Sequence, residues 1–445
     1  MPLLIFLLLS IIFIIVSTTR FRLHPFLALL FASIGFGLLS RMPLETIIDS
    51  INSGFGGTLG HIGIVIVAGT IIGTFLEKSG GAFALAESIL NKIGEKRIIP
   101  AMGIIGYIVS IPVFADSGFV ILSPLNKALT KRAGVSLAGT AIVLSLCLTI
   151  SHTLVPPTPG PIAAAGLLGA DLGLVILVAL PVSLTIMLIA WLFAAKYAGR
   201  LWIDVETNST EEKIVNVLQD APSAGKSILP ILVPILLIVL KSISDFPTSP
   251  FGQGAMNSII GFIGTPVIAL LFGVLLAFTL PKKLTRDMLS NAGWVGRGLI
   301  NAAVIILITG AGGVFGKVLQ NSGIADIIGD SLSGLNLGLW LPFLLAAAIK
   351  TAQGSSTVAI ITTASILAPL MQALGFDSNL MRALVVLTIG SGAMVVSHAN
   401  DSFFWVVTQM SDMDVQTGYK LHSFGTLVLG FSSALILWMI SLFAI

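Results

Sequence analysis

The chain has 445 residues, of which 56% are apolar and only 10% charged, with a formal net charge of +3 and a mean hydropathy of +1.04. Soluble chains carry about 25% charged residues, so this composition excludes a soluble enzyme, a disordered chain and a nucleic-acid binder, and it points to a polytopic membrane protein. One cysteine, Cys147, excludes an internal disulfide and a cysteine metal cluster.

A membrane-spanning helix needs about 20 largely apolar residues, and six stretches in each half of the chain approach that length. Residues 2–19 come first. No basic region precedes them and Arg20-Phe-Arg22 follows, so they read as a spanning helix and not as a cleaved signal. Next come 23–40, 60–77, 100–129 with an interruption, 135–169 with an interruption, and 172–195. A polar linker, 197–226, carries Glu206, Glu211, Glu212, Lys213 and Asp220. Beyond it lie 227–244, 257–280, 298–316, 338–374 interrupted, 383–410 interrupted, and 422–444. Polar positions such as Glu77, Lys78, Glu87, Lys92 and Glu95 read as solvated faces of an interfacial helix.

Positive charge in the loops sets the orientation. With both termini outside and the linker inside, 18 of the 23 basic residues fall on the inner side. That count requires 100–129 to be a re-entrant hairpin from the inside and 338–374 one from the outside. Each element of 227–445 then runs opposite to its counterpart in 1–196, which predicts two inverted-topology repeats. Internal similarity agrees with this. Gly69 and Gly73 before Leu76-Glu-Lys-Ser-Gly80 resemble Gly312 and Gly316 before Leu319-Gln-Asn-Ser-Gly323. Ile121-Leu-Ser-Pro-Leu-Asn-Lys-Ala-Leu129 resembles Ile366-Leu-Ala-Pro-Leu-Met-Gln-Ala-Leu374, and Ser151-His152 resembles Ser397-His398.

The interruptions are where chemistry must sit, because irregular backbone at mid-membrane depth survives only against protein or a polar cavity. The first hairpin is expected to break at Ala115-Asp-Ser-Gly118, and the second at Lys350-Thr-Ala-Gln-Gly-Ser-Ser-Thr357. Pro156, Pro157, Pro159 and Pro161 break the helix of 135–169, and Ser397-His-Ala-Asn-Asp-Ser402 breaks that of 383–410. Hairpin tips rich in Gly, Ser and Thr offer free backbone N–H groups to a carboxylate.

These segments resemble the gluconate permease family of the ion transporter superfamily. The resemblance extends from Phe21-Arg-Leu-His-Pro-Phe-Leu-Ala-Leu-Leu30 through Phe114-Ala-Asp-Ser-Gly118, Pro156-Pro-Thr-Pro-Gly-Pro161 and Gly354-Ser-Ser-Thr-Val-Ala359 to Ser397-His-Ala-Asn-Asp-Ser402. It implies an elevator-type carrier, a homodimer with an immobile scaffold, and proton-coupled uptake of a carboxylate across a bacterial inner membrane. Gluconate, other sugar acids and D-serine are carried by relatives. Where gluconate carriers commonly have His in a Pro-Pro-His-Pro pattern, this chain has Thr158.

A carrier explains the repeat, the paired breaks and the buried acids together. A channel wants a continuous polar path, and an intramembrane enzyme wants a catalytic constellation, neither of which the sequence contains. The expected ligand is a small hydroxylated monocarboxylate in a site built from Ser117, Gly118, Gly354, Ser355, Ser356 and Thr357 at the hairpin tips. Thr158, Ser397, Asn400 and Ser402 at the broken helices would serve its hydroxyls. Asp116 and Asp401 read either as helix caps or as proton carriers, and an intramembrane carboxylate is by default functional. His152, His398 and Gln353 are accessory candidates, the histidines reading equally well as backbone partners. Lys350 either snorkels outward or pairs with a carboxylate. No cofactor and no metal is expected, only the coupling proton. Sodium coupling, and D-serine or D-glycerate as substrate, stay open as alternatives.

Overall fold

The computed structural model describes residues 2–94, 97–205, 221–245, 250–251, 254–324 and 337–443, and the regular structure among them is helical throughout. The first half comprises α1 (Pro2–Thr19), α2 (Pro25–Leu39), α3 (Leu44–Lys78), α4 (Gly81–Ile93), α5 (Ile98–Val109), α6 (Ala115–Ala133), α7 (Leu137–Leu154), α8 (Pro159–Leu168) and α9 (Leu172–Lys196). After the linker follow α10 (Ala224–Ser244), α11 (Ala255–Ile263), α12 (Pro266–Ala277), α13 (Trp294–Asn321), α14 (Trp340–Gln353), α15 (Ser356–Leu367), α16 (Asn379–Ala393), α17 (Ser402–Met410), α18 (Val415–Gly418) and α19 (Phe424–Ser441). The acids expected in the linker, Glu206 to Asp220, lie outside the described residues, as does Glu95.

Polar side chains set where these helices begin. Ser136, Asp171, Ser223, Ser355, Ser378, Asp401 and Asp414 each accept a hydrogen bond from a first-turn N–H, one of the donors that helix geometry leaves unpaired. Among the described residues six helices are long and apolar enough to cross a membrane, or seven if α11 and α12 count as one bent span. Two boundaries differ from the sequence expectation. The helix expected at 60–77 starts at Leu44, because Ile47, Ser50 and Gly54 form a buried stripe at helical spacing within a stretch too polar to register as a span. The span expected at 257–280 is bent by 64° between α11 and α12, where Gly264-Thr265 precedes Pro266 at the first helical position.

The centre of the molecule is made of the two broken helices. All 18 residues of α7 are buried, and so is every residue of α16 from Ala383 to Ala393. A helix buried on all sides has to be apolar all round, and the Ser and Thr residues here donate to carbonyls of the preceding turn, as Thr149 and Thr153 do in α7 and Thr388 and Ser391 in α16. Around this centre, α1, α9, α10, α12 and α19 turn apolar stripes outward, such as Leu184, Leu188 and Leu192 on α9. The hairpins pack on the centre in matching ways, α5 on α7 and α14 on α16. Contacts across the chain show which ends share a side. Lys127 in the C-terminal half of α6 pairs with Asp412 after α17 at 2.7 Å, and Leu137 at the start of α7 donates to the Ile203 carbonyl at 3.1 Å. On the other side Ser242 of α10 donates to Asp171 at 2.5 Å, and Arg382 of α16 donates to the Gly169 carbonyl at 3.4 Å.

Candidate functional site

Four chain breaks converge, and each has a local cause. Between α5 and α6 the chain leaves the helix at Ser110 to Phe114, not at Ala115 to Gly118 as the sequence suggested. Pro112 disfavours the helical conformation at Ile111, and Ser110 Oγ donates to the Val113 carbonyl at 3.1 Å to close the turn. Asp116 therefore sits in the first turn of α6, where a carboxylate complements the positive end of the helix. A Cβ on Gly73 of α3 would lie 2.1 Å from the Pro112 carbonyl oxygen, so only glycine lets α3 reach this tip.

Between α14 and α15 the break is confined to Gly354 and Ser355, and Lys350 remains inside the last turn of α14. Gly354 has φ +91°, and a Cβ there would lie 2.2 Å from the Asn400 carbonyl oxygen. Ser355 Oγ then accepts from Val358 N–H at 3.3 Å and starts α15. In the first broken helix, residues 155–158 separate α7 from α8 and hold a cis Pro156-Pro157 bond. In the second, residues 394–401 separate α16 from α17, and Asp401 Oδ1 accepts from Phe403 N–H at 3.0 Å.

A buried ion pair ties the second tip to the second broken helix. Lys350 Nζ donates to Asp401 Oδ2 at 2.6 Å, with side-chain exposures of 1% and 9%, and also to the Gly354 carbonyl. Ser397 Oγ donates to the same carboxylate oxygen at 2.5 Å. Ser397 is itself held by the start of α19 and the segment before it, where the backbone widens to a π-turn at Tyr419–Ser423. Ser423 Oγ donates to the Ser397 carbonyl, and Ser397 N–H donates to Thr426 Oγ1 at 3.1 Å. Asn400 Nδ2 donates to the carbonyls of Thr351 and Ala352 at 2.9 and 3.1 Å, and His398 Nε2 lies 2.8 Å from the Thr351 carbonyl oxygen. Gln353 Nε2 donates to the Ser355 carbonyl at 2.5 Å.

A cavity of about 640 Å³ opens between the tips. Of the residues singled out in the sequence, Asp116, Ser117, His152, Lys350, Gln353, Gly354, Ser355, Ser356, Thr357, Ser397, Asn400, Asp401 and Ser402 line it. Ser402 Oγ donates to Asp116 Oδ2 at 3.1 Å and so joins the two acid sites. His152 Nε2 lies 3.3 Å from Thr357 Oγ1 and links α7 to the second tip. Three expected residues do not line the cavity. Gly118 lies against Leu148, 2.8 Å from where a Cβ would sit. Thr158 is buried, and its hydroxyl donates to the Val155 carbonyl at 2.7 Å. His398 is held at the end of α14 by the contact described above. The sequence reading missed Thr149 and Asn301, as well as the apolar wall of Ile300, Val304, Ile305 and Ile308 from α13. Asn301 had a signal, since it is an amide in an otherwise apolar run of a spanning helix.

The family model of GntP family permeases matches residues 1–443. The chain belongs to the GntP permease family. Among its relatives, a gluconate permease of Pseudomonas aeruginosa is 37% identical over 93% of this chain and 92% of its own length. The inner membrane permease YgbN of Escherichia coli is 32% identical over 96% of each chain, and a high-affinity gluconate transporter of Escherichia coli is 30% identical over 93% of each. In fold, this GntP permease is similar to the YdaH transporter of Alcanivorax borkumensis, with a TM-score of 0.69 at 15% identity over 95% of this chain and 99% of that one. It is also similar to MtrF of Neisseria gonorrhoeae, with a TM-score of 0.65 at 17% identity over 88% and 83%. This GntP permease is therefore a transporter and not an enzyme, a multi-pass protein of the bacterial inner membrane.

Proposed function

We propose that this permease imports a small hydroxylated monocarboxylate, gluconate or a related sugar acid, together with a proton. The observation that carries the reading is the charge balance of the cavity. Its ionisable walls are Lys350, contributing +1, and Asp116 and Asp401, contributing −1 each, with His152 neutral, so the site stands at −1 when both acids are ionised. A substrate anion would raise that to −2 in surroundings of low dielectric, where uncompensated charge is expensive. A proton arriving with the anion offsets it. Asp401 already has Lys350, Ser397 and Phe403 as donors, whereas Asp116 has one side-chain donor, Ser402. We therefore assign the proton to Asp116.

The first turns of α6, α15 and α17 all reach the cavity, and the positive ends of these helices favour an anion without a dedicated arginine. We place the substrate carboxylate at Ser356 and Thr357, and its hydroxyls among Ser117, Asn400 and Ser402. The gluconate permease of Pseudomonas aeruginosa and the high-affinity gluconate transporter of Escherichia coli, as relatives of this chain, support this class. The same reading takes 1–196 and 227–445 as inverted repeats. It moves the hairpins and broken helices as one elevator body against a dimeric scaffold formed by 2–40 and 227–280.

The test is uptake of labelled gluconate by purified permease in proteoliposomes, with a pH gradient and a sodium gradient imposed separately. Accumulation driven by the pH gradient alone is expected, with competition by other sugar acids. Accumulation driven only by sodium would overturn the proton reading, and competition by D-serine or D-glycerate but by no sugar acid would overturn the substrate reading.

A further inference from the structure

A second, smaller cavity of about 330 Å³ adjoins the first, and the two share Ser117, Ile300 and Asn301 as walls. Its other walls are Thr74, Glu77 and Lys78 at the end of α3, and Arg297 in the first turn of α13. Lys78 is paired with its neighbour Glu77 at 3.1 Å, so those two charges cancel locally. Arg297 is exposed, and among the described residues it has no ion-pair partner. The second cavity therefore carries a net charge of +1, next to a central cavity that stands at −1.

We infer that this outer cavity is a transit station for the substrate anion, with Arg297 as its positive centre and the gap between Ser117 and Asn301 as the passage to the central site. The inference rests on the reading of the central cavity as the place where a hydroxylated monocarboxylate binds. Three observations support it. The two cavities have a common wall, so a molecule leaving one by that wall enters the other. That wall is formed by a hydroxyl and an amide, which donate to and accept from a polyol in passing, together with the apolar Ile300. The unpaired guanidinium offers a planar fork that matches a carboxylate. Lys78 and Arg297 also fall on the side that the distribution of basic residues assigns to the cytoplasm, so the station serves release after import.

A transit station speeds passage in both directions and leaves affinity at the central site unchanged, because charge at the mouth of a cleft acts on the rate of encounter. The test is equilibrium exchange of labelled gluconate in proteoliposomes at low and high salt, alongside gluconate binding to the detergent-solubilised permease. In Arg297→Gln the exchange rate at low salt is expected to fall on the order of tenfold, and its decline with added salt is expected to flatten. Binding should stay within about twofold of the unaltered protein, and Arg297→Lys, which keeps the charge without the planar fork, should recover the salt dependence and part of the rate. An exchange rate and salt dependence that survive Arg297→Gln would overturn the station, as would a loss of binding that accounts for the whole loss of rate. If the unaltered permease does not exchange gluconate, the substrate reading fails separately, and the same comparison is made with the hydroxylated monocarboxylate that it does exchange.

Discussion

The two hairpin tips face one cavity but are secured differently. At the tip between α14 and α15, Lys350, Gly354, Thr351 and Ala352 are all bound by Asp401, Asn400 or His398 of the second broken helix, or pack against it. At the tip between α5 and α6, the acid Asp116 meets that helix through one side-chain contact, the hydroxyl of Ser402. The ion pair also places a neutralised carboxylate at the first of these tips and leaves the acid at the second without a cation of its own. On the proposed proton-coupled reading the two tips divide the work, one holding the geometry and the other changing charge.

The largest effect should come from breaking the rigid tip. Lys350→Met alone leaves Asp401 buried without its cation, and removing one partner of a buried pair costs about 3–5 kcal/mol. Thermal unfolding in detergent should register that loss, and Lys350→Met combined with Asp401→Leu should recover most of it. If the single and double replacements unfold alike, the pair is not what secures this tip. Next in size is Ser356→Ala at the same tip. A buried hydrogen bond lost to the substrate costs about 1–3 kcal/mol, or up to about a hundredfold in affinity, with the amount of permease in the membrane unchanged. Substrate binding that stays unchanged would move the carboxylate away from α15.

The proton assignment at the other tip is tested by Asp116→Asn. A pH unit is worth about 1.4 kcal/mol, so one proton per substrate supports about tenfold accumulation on a one-unit gradient. The variant should lose that accumulation while still exchanging internal for external substrate, and the acceleration of uptake as external pH falls should vanish with it. Accumulation that persists would return the proton to Asp401 or to His152. The smallest effect is expected for Thr158→Ala. Its hydroxyl serves the Val155 carbonyl away from the cavity, so stability should drop by about 1 kcal/mol while substrate affinity stays the same.

Much of this arrangement is legible in the chain because the bilayer punishes exceptions. A lysine, two acids and runs of Gly, Ser and Pro inside apolar stretches stand out, since each would be costly there without a partner or a break. Proline and glycine act on their own neighbours, so the four breaks could be placed to within a few residues. The one displaced break shows the limit. At Ala115 to Gly118 the polar residues suggest a break, but the backbone has already turned at Pro112, and Asp116 belongs to the helix that follows. Similarly, Lys350 stays helical and the break waits for Gly354.

Composition and local stereochemistry thus determined by themselves that this is a helical membrane protein with two interrupted segments in each half, and that polar groups gather at the interruptions. Only the tertiary structure decided which groups meet there. The partnership of Lys350 with Asp401 spans 51 residues, that of Ser402 with Asp116 spans 286, and Asn301 enters the cavity from a helix with no break at all. Thr158 stands in a break and still turns its hydroxyl to its own backbone. Residue type and depth say that a polar group needs a partner, but the choice among partners depends on how helices distant in sequence are packed, and no local rule carries that information.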